Sequence, residues 1–97
     1  MIPKALVVED EAVTGDLLAE ILRRKGFEPT VLQEGKPAIP WTRYHRPELI
    51  LLDLMLPDAD GYDICEHLKL DRETNLIPII MVTARSEERR VGKECRL

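Results

Sequence analysis

The sequence predicts a single α/β domain built on a parallel β-sheet. Short apolar runs occupy residues 4–8, 49–52 and 76–82, and they are continuous, which is typical of strands that helices cover on both faces. Segments with helical periodicity separate these runs, which indicates repeated strand–helix–strand units. The 97 residues are enough for one such domain with a modest core.

The first strand and the first helix are predicted from residues 4–26. The strand KALVV ends at three consecutive acidic residues, Glu9, Asp10 and Glu11. From Ala12 onward the apolar residues follow a helical period and predict one buried stripe: Val13, Leu17, Leu18, Ile21 and Leu22. Basic residues in the last turn and a glycine just beyond it favour a helix end there.

Prolines constrain the predicted second strand and second helix. Residues 27–32 predict a strand, and Pro29 places it at a sheet edge because proline cannot donate a ladder hydrogen bond. Residues 36–45 predict a helix in which Pro37 serves as an early position and Pro40 either restarts or breaks the helix.

A buried third strand carries the residue on which the functional prediction depends. The apolar run of residues 49–52 stops at Asp53, and the loop that follows contains proline, aspartate and glycine, which favour turns. Asp53 therefore lies at the carboxyl end of a buried strand, which is the edge where open α/β sheets bind ligands.

A third helix and a fourth strand complete the predicted fold. The helix is expected from Tyr62 to about Asp71 and the strand over residues 76–82. Thr83 and Ala84 follow at the carboxyl end of that strand, so they are expected at the same edge of the sheet as Asp53.

Acidic residues at the ends of two neighbouring strands predict a cation site. If the second strand is at an edge, right-handed crossovers place the first and third strands side by side, so Glu9, Asp10 and Asp53 converge. Carboxylates this close repel one another unless a cation neutralises them, and an oxygen-only site suits Mg²⁺ or Mn²⁺ with a phosphate. Asp53 is then the best placed nucleophile for phosphoryl transfer through an acyl phosphate. The alternative is that these acids only cap helices or turns.

Met55 and Thr83 are further candidates at this edge. Met55 follows Asp53 by two residues, where its backbone carbonyl can turn toward a metal; alternatively, it is a core methionine in a loop. The hydroxyl of Thr83 could hydrogen-bond a phosphoryl oxygen, or the residue could simply end a strand.

Composition argues against several other classes of protein. The chain has a net charge of −4 because the acidic residues in excess over residues 1–84 outweigh the basic excess of residues 85–97, so nucleic-acid binding through this domain is not expected. No run is long enough to span a membrane and no secretory signal is recognisable, which makes the cytoplasm the expected location. Cys65 and Cys95 form no disulfide framework or metal-ligand pattern, so both are expected to be reduced.

Three motifs, in order, resemble the receiver domain of two-component response regulators. They are LVVEDE at 6–11, LILLDLMLPDADGYDIC at 49–65 and IPIIMVTA at 77–84. The resemblance covers residues 1 to about 85 and implies a flavodoxin-like, doubly wound parallel sheet with strand order 2-1-3-4-5. The edge position inferred from Pro29 agrees with that order.

The resemblance implies a role for each candidate residue. Asp53 resembles the phospho-acceptor, Glu9 and Asp10 the metal-binding acids, and Met55 the residue whose carbonyl completes the Mg²⁺ site. Thr83 looks like the switch hydroxyl, beside the small Ala84 that leaves room for it. The family receives its phosphoryl group from a sensor histidine kinase or a phosphotransfer protein, and the added charge shifts a two-state equilibrium.

The resemblance also implies parts that this sequence does not provide. A receiver continues into a fifth strand with a lysine that pairs with the phosphoryl group, but Lys93, the only lysine after Thr83, lies in no strand-like run. We therefore expect a truncated receiver over residues 1–85, without the fifth strand and last helix. Residues 86–97 would form a partial fourth helix or a non-native tail. The fourth strand would become an exposed edge. A dimer is therefore one of the states that the sequence allows.

Two other functions stay open at this point. A phosphatase- or dehalogenase-type hydrolase also uses a strand-end aspartate as nucleophile, but it places a second aspartate two residues later, where this sequence has Met55. A receiver-like interaction module with a silent acidic pocket is the second alternative. The sequence favours a regulatory phospho-acceptor whose only catalysis is its own Mg²⁺-dependent phosphorylation and dephosphorylation.

Overall fold

The structure is a computed structural model that describes residues 1–82. Thr83, Ala84, the proposed boundary at residue 85 and the tail over residues 86–97 lie outside the described residues, so these predictions stay predictions. Strands and helices alternate along the described chain: β1 (Lys4–Val8), α1 (Ala12–Arg24), β2 (Glu28–Leu32), α2 (Ala38–His45), β3 (Leu49–Asp53), α3 (Gly61–Leu70) and β4 (Ile79–Val82).

The four described strands form one parallel sheet in the order β2-β1-β3-β4. This order confirms the predicted doubly wound α/β fold. β2 pairs with β1 alone among the described strands, with Pro29 opposite Ala5, so the proline lies on the edge strand as predicted.

Alternating side chains of the strands fill two separate cores. On one face, Leu6, Ile50, Leu52 and Met81 pack with α2 and α3. On the other face, Ala5 and Val7 pack with α1 through Leu22. Because both faces are covered, the strand sequences are continuously apolar, as the sequence pattern indicated.

The predicted buried stripe of α1 is partly wrong. Leu22 is buried and Leu18 is half-buried, but Val13, Leu17 and Ile21 are 82%, 59% and 45% exposed. The face toward the sheet instead contains the small residues Gly15 and Ala19, which allow close packing: a Cβ on Gly15 would lie 3.0 Å from the side chain of Val31. Three apolar side chains are therefore left in a row on the outer face.

The prolines of α2 occupy positions that tolerate them. Pro37 occupies the N-cap position with a φ of −77°, and Pro40 lies in the first turn of the helix, where a missing N–H breaks no helical hydrogen bond. The predicted helix over residues 36–45 is therefore confirmed with a slightly later start. Arg46 ends it in the left-handed conformation, with a φ of 51°.

β4 begins at Ile79, three residues later than predicted. The preceding residues form turns instead, in which Ile77 donates its N–H to the carbonyl of Thr74 (3.1 Å) and the buried hydroxyl of Thr74 donates to the carbonyl of Leu68 (2.6 Å). Local hydrogen bonds thus override the β-propensity of this stretch.

Two further features of the described residues bear on the sequence predictions. Cys65 is buried in α3, but the expectation of a reduced thiol is wrong for it, because the structure has it disulfide-bonded. The spacing of the cysteines gave no pattern from which a bond could be inferred, and Cys95 lies outside the described residues. In the described part of the chain, no helix is long and apolar enough to cross a membrane.

Candidate functional site

The carboxyl ends of β1 and β3 bring three acidic side chains together. Val8 lies opposite Leu52 in the sheet, so the next residues, Glu9 and Asp53, emerge side by side. Carboxylate oxygens of Glu9, Asp10 and Asp53 all lie within 4.8 Å of one another. We call these three residues the acidic rim.

Burial makes the acidic rim electrostatically costly. Glu9 and Asp53 are each only 5% exposed, whereas Asp10 is exposed. Burial raises the pKa of Glu9 from 4.5 to about 7, and the nearby charges of Asp53 and Asp10 add to this effect, while the N–H of Glu11 opposes it. That N–H donates to Oε2 of Glu9 at 3.1 Å. One hydrogen bond therefore does not compensate for the clustered charge.

The alternative that these acids only cap α1 is not supported by the contacts. Glu11 occupies the N-cap position, but its side chain makes no capping hydrogen bond to a backbone N–H. It accepts instead from the hydroxyl of Thr14 at 3.2 Å. The carboxylate of Glu9 lies with those of Asp10 and Asp53 at the acidic rim. Glu9 therefore belongs to the carboxylate cluster and not to a helix cap.

The β3–α3 loop, residues 54–60, follows directly from Asp53. The N–H of Met55 donates to Oδ1 of Asp53 at 3.3 Å, so the loop turns back over the carboxylate that it follows. Met55 also forms an isolated antiparallel bridge with Asp60, and its side chain is exposed. The core-methionine alternative is therefore excluded, and the role of its carbonyl in metal binding stays a prediction.

The far end of the β3–α3 loop is fixed by a cap and a glycine. Oδ1 of Asp60 accepts from the N–H of Tyr62 at 2.8 Å and caps α3. The N–H of Gly61 donates to the carbonyl of Leu54 at 2.9 Å. A Cβ at Gly61 would overlap the backbone carbonyl oxygen of Asp53, so this close approach requires glycine.

Asp58 makes contacts that the sequence did not predict. Its two carboxylate oxygens accept from the backbone N–H groups of Gly35 at 2.7 Å and Lys36 at 2.8 Å, in the β2–α2 loop (residues 33–37). These bonds hold the pKa of Asp58 below its ordinary value. The sequence predicted only a turn at Asp58. It could not predict these partners, because residues more than twenty positions away leave no local pattern.

The donor chemistry of the acidic rim fits a divalent cation. Three carboxylates at an open edge provide only oxygen ligands, which hard cations such as Mg²⁺ and Mn²⁺ prefer. The raised pKa of Glu9 also indicates a buried carboxylate whose charge lacks compensation in the protein alone. Thr83 and Ala84, predicted at this edge, lie outside the described residues.

Comparisons with known proteins agree on one family. The profile of the response regulator receiver domain matches residues 5–96. The transcriptional regulatory protein BaeR of Escherichia coli O6:H1 is 45% identical over 86 residues, which are 89% of this chain and 35% of that protein. The chain thus spans about a third of the length of the curated relatives it matches.

Solved structures of receiver proteins share the fold of this chain. The receiver domain of the sensor histidine kinase PA1611 from Pseudomonas aeruginosa PAO1, which has magnesium coordinated in its active-site cleft, is similar with a TM-score of 0.83 and 28% identity, covering 93% of this chain and 74% of that one. The Mn²⁺-bound form of response regulator Rcp1 is similar with a TM-score of 0.76 and 28% identity, covering 89% of this chain and 68% of that one. With its fold, its acidic rim and this family match together, the chain belongs to the response regulator receiver family.

Proposed function

We propose that Asp53 accepts a phosphoryl group from a phosphohistidine of a sensor histidine kinase or a phosphotransfer protein. The observation that carries this proposal is the acidic rim, in which carboxylate oxygens of Glu9, Asp10 and Asp53 lie within 4.8 Å of one another. Asp53 ends β3, which lies between β1 and β4, and it pairs with Val82 of β4. A fixed nucleophile with a cation site beside it is what phosphoryl transfer requires.

The chemical step is a simple displacement at phosphorus. An oxygen of Asp53 attacks, an acyl phosphate bond forms, and the bond between phosphorus and the donor imidazole nitrogen breaks with its electron pair leaving on that nitrogen. A Mg²⁺ or Mn²⁺ ion held at the acidic rim would supply positive charge that offsets the charge of the phosphoryl group. Glu9, Asp10 and Asp53 would hold this ion together with the backbone carbonyl of Met55.

The phosphorylated state is proposed to act as a switch rather than as a step of enzyme turnover. The new phosphoryl group adds negative charge at the edge of the sheet, which biases a two-state equilibrium. Thr83 would supply the hydroxyl that moves toward the phosphoryl group, and Ala84 would leave it room. A downstream output would read the resulting change.

The outer face of α1 supports docking of a protein donor. Val13, Leu17 and Ile21 lie four residues apart, and all three are exposed, so they form an apolar row along one face. Val13 lies in the first turn of α1, close in the chain to Glu9 and Asp10. A helical donor lying along this row would have its histidine near the acidic rim.

Acetyl phosphate labelling with Mg²⁺, followed by intact-mass analysis, tests the proposal. The chain should gain the mass of one phosphoryl group, and the substitution Asp53→Asn should abolish that gain because the nucleophile is lost. Asp63→Asn, at an exposed acidic residue of α3, is the matched control and should label like the wild type. Labelling that persists in D53N would overturn the proposal.

A beryllofluoride and Mg²⁺ titration followed by NMR provides an independent test. Beryllofluoride imitates a phosphoryl group on a carboxylate without requiring transfer, so amide resonances around Asp53 should shift on addition. A silent interaction module would show no shifts there. A hydrolase would instead release phosphate continuously from a phosphomonoester.

A further inference from the structure

Asp58 joins two loops that belong to different strand–helix units. It lies in the β3–α3 loop, and both of its carboxylate oxygens accept backbone N–H groups of the β2–α2 loop, from Gly35 at 2.7 Å and from Lys36 at 2.8 Å. Hydrogen bonds to an ionised carboxylate are shorter and stronger than neutral ones. We call this arrangement the Asp58 clamp.

Packing around Gly35 reinforces the Asp58 clamp. Gly35 is buried, and a Cβ there would lie 2.8 Å from Cβ of Ala59, 2.8 Å from Cδ1 of Ile64 and 3.1 Å from Cδ1 of Leu56. The absence of a side chain thus lets the β3–α3 loop and the start of α3 pack directly on this backbone. Polar and apolar contacts fix the two loops in the same relative position.

The Asp58 clamp holds the outermost part of the loop that contains Met55. The base of this loop is closed by the bridge between Met55 and Asp60 and by the hydrogen bond from Gly61 to Leu54. Between these closed ends, the two hydrogen bonds of Asp58 add polar restraints to the apolar packing of Leu56 and Ala59. The path of the backbone at Met55 therefore depends on an anchor three residues further along the chain.

We propose that Asp58 is a positioning residue that preorganises the metal site by anchoring the β3–α3 loop to the β2–α2 loop. This inference rests on the proposed function, in which Asp53 and the carbonyl of Met55 bind the cation. Asp58 does not touch the cation; it limits the freedom of the loop that does. Preorganisation lowers the ordering cost of binding and so tightens it.

Coupling between the clamp and the cation must be reciprocal. If the clamp favours the loop conformation that binds metal, then metal must stabilise the clamp by the same factor. In the wild-type chain, Mg²⁺ should therefore slow hydrogen exchange at the N–H groups of Gly35 and Lys36. The N–H of Glu73, which donates to Asp71 at the far end of α3 at 2.9 Å, is the internal reference and should not change.

Metal titration of clamp variants tests the inference directly. Asp58→Ala removes both hydrogen bonds and should weaken Mg²⁺ binding about fivefold, at the lower end of typical coupling between sites. Asp58→Asn retains one acceptor oxygen and should fall between D58A and the wild type. Asp71→Ala is the matched control, because Asp71 accepts the N–H of Glu73 and pairs with Arg43 at 3.1 Å, away from the acidic rim.

The outcomes separate this inference from the proposed function. If the wild type neither binds Mg²⁺ nor labels at Asp53, the proposed function fails and the inference falls with it. If the wild type binds Mg²⁺ and D58A binds equally tightly, or D71A weakens binding as much, the inference alone is overturned. If D58A does not fold, two other measurements test the inference. They are Mg²⁺ binding by D58N and the effect of Mg²⁺ on hydrogen exchange at the N–H groups of Gly35 and Lys36 in the wild type.

Discussion

Two loops meet at the acidic rim, and different interactions hold them in place. The β1–α1 loop, residues 9–11, is short, and the N–H of Glu9 continues the sheet ladder by donating to the carbonyl of Leu32 at 2.9 Å. The longer β3–α3 loop, residues 54–60, depends on side chains, with Asp58 and Asp60 accepting backbone N–H groups. Backbone geometry thus places Glu9 and Asp10, whereas particular side chains position the loop after Asp53.

The largest effect is expected from crowding the base of the β3–α3 loop. In Gly61→Ala, the new Cβ would overlap the carbonyl oxygen of Asp53, so the backbone of the loop or of β3 must shift. We expect a loss of about 3 kcal/mol in the free energy of unfolding, the upper part of the range for overpacking. Urea unfolding of the metal-free chain measures it.

Gly26→Ala is the control for this prediction. Gly26 has a φ of 96°, and no atom lies within 4 Å of the position that a Cβ would take there, so alanine incurs backbone strain without a clash. The expected cost is about 1 kcal/mol. An equal cost for both variants would show that the close approach of Gly61 to Asp53 does not constrain the loop.

The acidic rim was predictable from sequence because it follows from strand geometry. Continuous apolar runs located β1 and β3, and parallel pairing of adjacent strands then brought Glu9, Asp10 and Asp53 together without any knowledge of side-chain packing. The edge position of β2 was predictable in the same way, because Pro29 lacks the N–H that an inner strand would need. Each of these inferences uses backbone rules that hold for almost any side chains.

The features that sequence reasoning missed depend on tertiary packing. Apolar periodicity marked Leu17 and Leu22 alike as core, but the small Gly15 and Ala19 face the sheet and Leu17 is exposed. The bonds from Gly35 and Lys36 to Asp58 join segments 23 and 22 residues apart. Neither the rotation of a helix on a sheet nor a contact between distant loops follows from local patterns.

A moderate effect is expected from pH, acting through the β1–α1 loop. Because the pKa of Glu9 is raised from 4.5 to about 7, the folded metal-free chain binds a proton more readily than the unfolded chain. The contribution of Glu9 to stability is complete below the pKa of Glu9 in the unfolded chain. This contribution is lost as the pH rises through its pKa in the folded chain, about 7. Mg²⁺ must displace that proton, so its affinity should increase up to about tenfold per pH unit below about 7.

Mg²⁺ titrations and urea unfolding at several pH values check this prediction. Glu9→Gln should flatten the pH dependence of the metal-free stability, because glutamine does not titrate, and it should weaken Mg²⁺ binding at every pH. Asp16→Asn, at an exposed residue of α1, is the control. If the metal-free stability of E9Q kept the pH dependence of the wild type, a group other than Glu9 would cause that dependence.

The smallest expected effect compares the two helix starts directly. Asp60 caps α3 by accepting the N–H of Tyr62 at 2.8 Å, whereas Glu11 precedes α1 without a side-chain capping bond. Asp60→Ala should therefore cost about 1 kcal/mol, the usual value of a lost N-cap, and Glu11→Ala should cost less than about 0.5 kcal/mol, as for surface changes. Urea unfolding of both variants measures the difference. Equal losses would mean that the Asp60 side chain does not stabilise the start of α3 more than the Glu11 side chain stabilises the start of α1.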